Sequence, residues 1–180
     1  MTDGAEAVLI SIKPEWVWKI MDGGKTIEVR KTAPKLKPPF RVYVYCTEGG
    51  DELWVKDRDQ RGLLQNGSYR SHKVNGTVCM EFICDEIYEI GIMRGKGWVL
   101  KNPPTGEWRL LLKRNFACMS HEELHNYLTG KHGYGWHIKD VRVYDGNHLL
   151  SVTDIRLHNG LPVERPPQSW CYVMGKNANE

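Results

Sequence analysis

The chain has 180 residues, 41% of them hydrophobic and 26% charged, with a formal net charge of +3. That is ordinary globular composition, which excludes wholesale disorder and suits a single domain with one hydrophobic core. No apolar run nears the roughly 20 residues of a membrane-spanning helix. The opening segment, MTDGAEAVLISIKPEW, is acidic where a signal peptide is basic, so the expected setting is the cytoplasm.

Residues 7–12, AVLISI, form an apolar run of strand length. Pro14 suits a first helical turn and Gly23-Gly24 a helix end, which predicts a short helix over 14–22 with Trp16, Val17 and Ile20 on one stripe. Thr26–Arg30 alternates polar and apolar residues like a strand. The stretch from Arg30 to Arg41, RKTAPKLKPPFR, carries basic residues at 30, 31, 35, 37 and 41 and no acid. It reads either as a path for phosphates, with Lys35 and Lys37 as contacts, or as a solvated Pro-rich loop.

Phe40–Thr47 is rich in β-branched and aromatic residues and predicts a strand, whereas residues 48–76 show no period. Thr77–Tyr88 is the longest strand candidate. Residues 89–109 hold four glycines and Pro103-Pro104 and read as an irregular excursion. Ser120 and Glu123 form a capping box that opens a helix to about Thr129, closed by Gly130. Further strands are expected at Tyr134–Tyr144, Leu149–Leu157 and Gln168–Met174. Many short strands around two short helices predict a mainly-β α+β fold, a small barrel with helices on its rim. Residues 1–180 then form one domain, with irregular insertions around 48–76 and 89–109.

The five cysteines are odd in number and include no C-x-x-C pair, which fits free thiols in a reducing compartment. Residues 121–125, HEELH, match the H-E-x-x-H zinc pattern in form. Ser120 as the cap leaves His121 at the very start of the helix, however. Leu128 and Lys131 stand where the extended motif needs Gly and His, and the next glutamate is Glu164. No metal and no cofactor are therefore expected.

The segment MDGGKTIEVRK is more specific. It resembles the G-x-K-x-x-E-x-R signature of the ASCH family, with Gly23, Lys25, Glu28 and Arg30 in the marked places. LISIKPEWVWKIMDG is similar to the family's opening strand and helix, and YGWHIKDVRVYD and RPPQSWCYV to its closing strands in a bacterial and phage-type subgroup. The resemblance implies a PUA-like β-barrel and a polar cleft that takes RNA, another single-stranded nucleic acid or a modified nucleoside. It implies Lys25, Glu28 and Arg30 as cleft residues, with Lys13 in the opening segment. Trp136, His137 and Trp170 lie in the matching closing segments.

The residues themselves support parts of that. Glu28 can accept from a base amino group, and Arg30 can bind phosphate or stack on a base. Strand parity puts Glu28 and Arg30 on one face, so Lys25 joins them only if it lies at the strand's end. Seven tryptophans are many for this length; most must be core, and one or two can stack a base. The family includes binding modules, ribonucleases and an amidohydrolase that deacetylates 4-acetylcytidine with a Lys, a Thr and a Glu. Lys25 matches the lysine, Glu28 stands in the threonine's place, and Glu122 or Glu123 is the nearest match to the glutamate. The leading expectation is binding. The alternatives are hydrolysis of a modified nucleoside or of RNA, with Lys25 and Glu28 catalytic, and, more remotely, zinc hydrolysis at HEELH.

Overall fold

The computed structural model describes residues 6–56, 70–93, 97–101, 109–110 and 116–175. Contacts divide the chain into two compact units: Met1–Met21, Arg41–Phe82 and Val141–Glu180 make the first, Asp22–Phe40 and Ile83–Asp140 the second.

The first unit is organised around β1 (Glu6–Ile12), a central strand buried along nearly its whole length. It pairs antiparallel with β10 (Trp170–Met174), Ile10 opposite Trp170, and parallel with β3 (Phe40–Cys46), Ile10 opposite Val44. A strand with neighbours on both edges and both faces covered must be apolar throughout, which explains AVLISI. Parallel pairing needs a crossover, and α1 (Pro14–Met21) lies in it. This helix buries Pro14, Val17 and Ile20, while Trp16 is only half-buried and carries the Lys19 ammonium 4.4 Å from its ring centre. β4 (Trp54–Lys56) and β5 (Ser71–Lys73) pair within the region that showed no period. Ala7, Leu9, Tyr43, Val78 and Val173 are the centre of this unit's core.

The strand expected at 149–157 is replaced by turns. Leu150 makes one isolated bridge to Val78, and a 3-10 turn follows over Val152–Asp154. The Ser151 hydroxyl accepts from the Thr153 N–H, and the Asp154 carboxylate accepts from the Ser151 N–H at 2.7 Å. This local capping box satisfies backbone groups that a strand would need to pair, and it overrides the β-branched residues between.

In the second unit, β2 (Ile27–Arg30) pairs antiparallel with β9 (Gly133–Val143), Glu28 opposite Trp136 and Arg30 opposite Tyr134. Two glycines permit this approach. A Cβ at Gly135 would stand 2.8 Å from Ile27 Cγ2, and one at Gly133 would stand 2.5 Å from Leu128 Cδ2. β6 (Val78–Met93), which begins in the first unit and continues into the second from Ile83, runs beyond its predicted end at Tyr88 and pairs with β7 (Gly97–Lys101), which pairs with the short β8 (Arg109–Leu110). The expected excursion at 89–109 is thus partly sheet; residues 94–96 and 102–108 lie outside the described residues. α2 (His121–Leu128) has the predicted capping box at Ser120 and Glu123 and buries Leu124 and Leu128 against Ile27, Val29, Ile90 and Trp98.

The sheet is mixed, in the order β10-β1-β3-β6-β7-β8, with β9 joining β6 and β2. Among the described residues the strand path does not close, so the predicted barrel is corrected to a mixed sheet in a mainly-β α+β fold. A barrel needs two neighbours for every strand; β10, β8 and β2 have one each. No helix among the described residues is long and apolar enough to cross a membrane.

Candidate functional site

The site begins with a turn. Gly23 takes φ +80° after α1, a left-handed conformation that glycine adopts without steric cost, and the chain passes through Gly24 to Lys25. Phe116 then clamps the next two residues: its carbonyl accepts from both the Thr26 and the Ile27 N–H groups at 3.0 Å. Lys25 therefore sits just before β2, not inside it. From there its Nζ donates to the Ala117 carbonyl at 2.7 Å and lies 3.4 Å from Glu28 Oε2. Strand parity alone would have separated Lys25 from Glu28 and Arg30; its place ahead of the strand brings it to them.

Arg30 reaches the other oxygen of the same carboxylate, Nη2 to Glu28 Oε1 at 3.0 Å. Glu28 is thus held between two cations, and all three residues are buried: Lys25 is 2% exposed, Glu28 6% and Arg30 7%. The resemblance implied a polar cleft around them, and β2 is instead buried along its whole length. Ile27 and Val29 fill the apolar core on one face, and the ionic group lies on the other.

Burial decides the electrostatics of Lys25. Desolvation pushes its ammonium below the ordinary lysine value, and the neighbouring Glu28 carboxylate only partly restores it. Tyr127, on α2, stands beside the group: burial raises its phenol, while a hydrogen bond to Arg30 works the other way. Its ring also lies under the Lys31 ammonium, 5.4 Å from the ring centre. The sequence reading missed Tyr127 and the Ala117 carbonyl, which lie roughly a hundred positions from the motif. Only the helix phase hinted at Tyr127, which neighbours the buried Leu124 and Leu128.

The other nominated residues scatter. Trp136 shares a sheet position with Glu28, but it is fully buried and packs edge-on against Phe40 at 6.1 Å. It is a core ring and offers no open face for stacking. His137 sits on the opposite face of β9, its Nδ1 2.6 Å from Asp85 Oδ1 and its ring edge-on to Tyr88. Burial tends to raise the Asp85 carboxyl, yet the His137 hydrogen bond and the nearby Lys139 bring it below the usual range. Lys35 and Lys37 are exposed in the second unit. Lys13 and Trp170 belong to the first unit, where Lys13 is exposed and Trp170 is half-buried against Tyr172. The two histidines of HEELH stack their rings at 6.4 Å, and among the described residues no three His, Cys, Asp or Glu side chains gather around a metal-sized space. Glu122 and Glu123 are exposed, and Glu123 is spent on the helix cap.

These features define a mainly-β α+β protein with a mixed sheet and a buried ionic group on a short strand. No family model and no curated protein matches the sequence. Solved structures do match the fold. ASCH from Zymomonas mobilis aligns at 17% identity and a TM-score of 0.51, covering 92% of this chain and 86% of that one. Two single-residue variants of that protein align at 16% identity, with TM-scores of 0.52 and 0.51 and coverage of 92% of this chain and 87% and 88% of theirs. The chain has the ASCH-type fold that its motif implied.

Proposed function

We propose that this chain binds single-stranded RNA or a modified nucleoside at the Lys25–Glu28–Arg30 group. The observation that carries this reading is the burial of three charged side chains in one short segment. Replacing buried ion pairs by apolar residues is often neutral or stabilising, so such a group is poorly explained as a stability device. Lys25, whose ammonium burial destabilises, is a perturbed group of the kind that clusters at functional sites. Glu28 offers a fixed acceptor and Arg30 a planar donor, with the half-buried Tyr127 and the exposed Lys31 beside them as an aromatic ring and a phosphate contact. The exposed Lys35 and Lys37 extend a basic path for a nucleic-acid backbone. The five free thiols fit a cytoplasmic setting.

A second reading, hydrolysis of RNA or of a modified nucleoside, is favoured by the lowered pKa of Lys25. Burial makes the Lys25 ammonium give up its proton more readily than an ordinary lysine; the neutral amine can take a proton from water or from a ribose hydroxyl, and the ammonium so formed can return it to the leaving group.

One experiment separates the readings. Labelled single-stranded RNA is titrated by anisotropy, and RNA with acetylated and methylated cytidines is incubated with the protein and analysed by mass spectrometry. Binding predicts a complex without products, weakened about tenfold by Arg30→Lys at unchanged melting temperature. Hydrolysis predicts a product that Lys25→Met removes while the ligand still binds. Neither complex nor product would overturn both.

A further inference from the structure

The first unit contains a pocket that the site above does not use. It lies between the start of α1 and the turn after β3, with a volume of about 660 Å³, which is ample for an organic ligand. Its lining includes Trp18, Leu53, Lys13, Glu15, Asp51 and Glu52.

Trp18 is the first unusual feature. α1 turns Pro14, Val17 and Ile20 into the core, so Trp18 falls on the outer side and is 52% exposed. A large aromatic ring left open beside a cavity is not there for core packing. Two glycines, Gly49 and Gly50, also line the pocket. Gly50 takes φ +98° in the turn, and a Cβ at Gly49 would meet nothing within 4 Å.

Charge then selects the ligand. Among the described lining residues, carboxylates come from Glu15, Asp51 and Glu52, against the single ammonium of Lys13. Glu52 is engaged by Lys73 and by the Trp54 indole N–H. Among the described residues, Glu15 and Asp51 have no ion-pair partner. The start of α1 would ordinarily favour an anion, but Glu15 already occupies the first turn. A phosphate would meet three carboxylates here. A cation would meet a tryptophan face and two acids that have no ion-pair partner among the described residues, the pairing that recognises guanidinium and alkylammonium groups.

We infer that this pocket holds a small organic cation, a guanidinium or alkylammonium compound, stacked on Trp18 and neutralised by Glu15 and Asp51. The site lies wholly in the first unit, so it stands or falls independently of the nucleic-acid reading.

The test uses the full chain with ¹⁵N-labelled tryptophan. The seven indole signals are recorded, and Trp18 is assigned by its disappearance in Trp18→Phe. Agmatine, spermidine and an end-blocked Gly-Arg-Gly peptide are titrated separately, with cytidine monophosphate as the anionic control. The expected result is a saturable shift of the Trp18 signal with agmatine or spermidine. Asp51→Asn or Glu15→Gln should raise the apparent Kd about tenfold, and added salt should raise it in the same direction. Response to the peptide alone would overturn the small-molecule assignment in favour of a basic chain. A Trp18 signal unmoved by any cation, equal affinity in the doubly neutralised variant, or a shift with cytidine monophosphate alone would overturn the cation site.

Discussion

Each unit centres a charged cluster on one glutamate, and the two clusters are built on different plans. Arg41 Nη1 donates to both oxygens of Glu81, at 3.0 and 3.1 Å, and the Tyr144 hydroxyl donates to the same carboxylate at 2.6 Å. Those partners stand 40 and 63 positions away, so the cluster fastens distant segments of the first unit together. Glu28 draws both its cations from its own segment, Lys25 three residues before and Arg30 two after. Its ion pairs tie the chain to nothing remote; the Lys25 bond to the Ala117 carbonyl and the Arg30 bond to Tyr127 do that. Glu81 also keeps its partner nearer water, with the Arg41 side chain 28% exposed against 2% and 9% for Lys25 and Arg30. A long-range ion pair at the edge of solvent has a structural purpose that suffices. A local one, buried at the cost of desolvation, calls for a chemical purpose.

The sharpest test of this contrast is stability. Glu28→Ala leaves two buried cations facing each other, and we expect a loss of about 3–5 kcal/mol by urea denaturation. Glu81→Ala should cost less, about 1–3 kcal/mol, because Arg41 can turn toward water. Lys25→Met should lie within about 1 kcal/mol of the parent, since Glu28 keeps Arg30 and a desolvated ammonium is removed. The contrast breaks if Glu81→Ala is the costlier glutamate change, or if Lys25→Met is as damaging as Glu28→Ala.

Much of the frame was legible because local signals agreed with it. Pro14 and Gly23 bounded α1, Ser120 and Glu123 opened α2, and the apolar run of β1 announced a strand. The failures were of two kinds. At Ser151–Asp154, capping chemistry won over β-branched composition, and the S-x-x-D spacing was there to be read. Sheet closure was not readable, because it depends on which strand edges meet across the whole chain. For the site, the motif gave Lys25, Glu28 and Arg30, and the structure joins them. It gave no measure of their burial, nor of Ala117 and Tyr127, the remote partners that the structure brings to Lys25 and Arg30. Trp136 was nominated because tryptophan suits both a core and a stacking wall; only the observed burial separates those roles.

Proton linkage offers a second, smaller test. Burial lowers the folded-state pKa of Lys25 beneath its ordinary 10.5. Between that lowered value and about 10.5 the unfolded chain holds a proton that the folded chain has released. Stability must therefore rise with pH through this window, by at most about 1.4 kcal/mol per pH unit for one group. The measurement is the difference in urea midpoint between the parent and Lys25→Met from pH 7 upward, which cancels the shared titrations. The parent should gain on the variant as pH rises. Parallel curves would mean that Glu28 fully offsets desolvation, and the buried group would then resemble an ordinary structural pair like that of Glu81.

The smallest expected effect concerns the helix that carries Tyr127 beside Arg30. α2 ends at Thr129, which takes φ 53° and ψ 39°, a left-handed conformation that a β-branched residue adopts at a cost of about 1–2 kcal/mol. Gly130, which the sequence suggested as the stop, follows at φ 69°. Thr129→Gly relieves the strain but gives up the Thr129 hydroxyl bond to the Leu128 carbonyl at 2.7 Å and adds chain entropy to the unfolded state. The balance should be a gain of up to about 1 kcal/mol, read as a higher melting temperature. Thr129→Ala keeps the strain, loses the hydroxyl and should destabilise, so the pair of variants separates strain from hydrogen bonding. Because α2 belongs to the second unit, Thr129→Gly should leave the cost of Glu81→Ala unchanged within about 0.5 kcal/mol. If it instead changes the cost of Glu28→Ala, the tightness of α2 helps set how firmly the buried cations are held, and Tyr127 is the residue through which that would act.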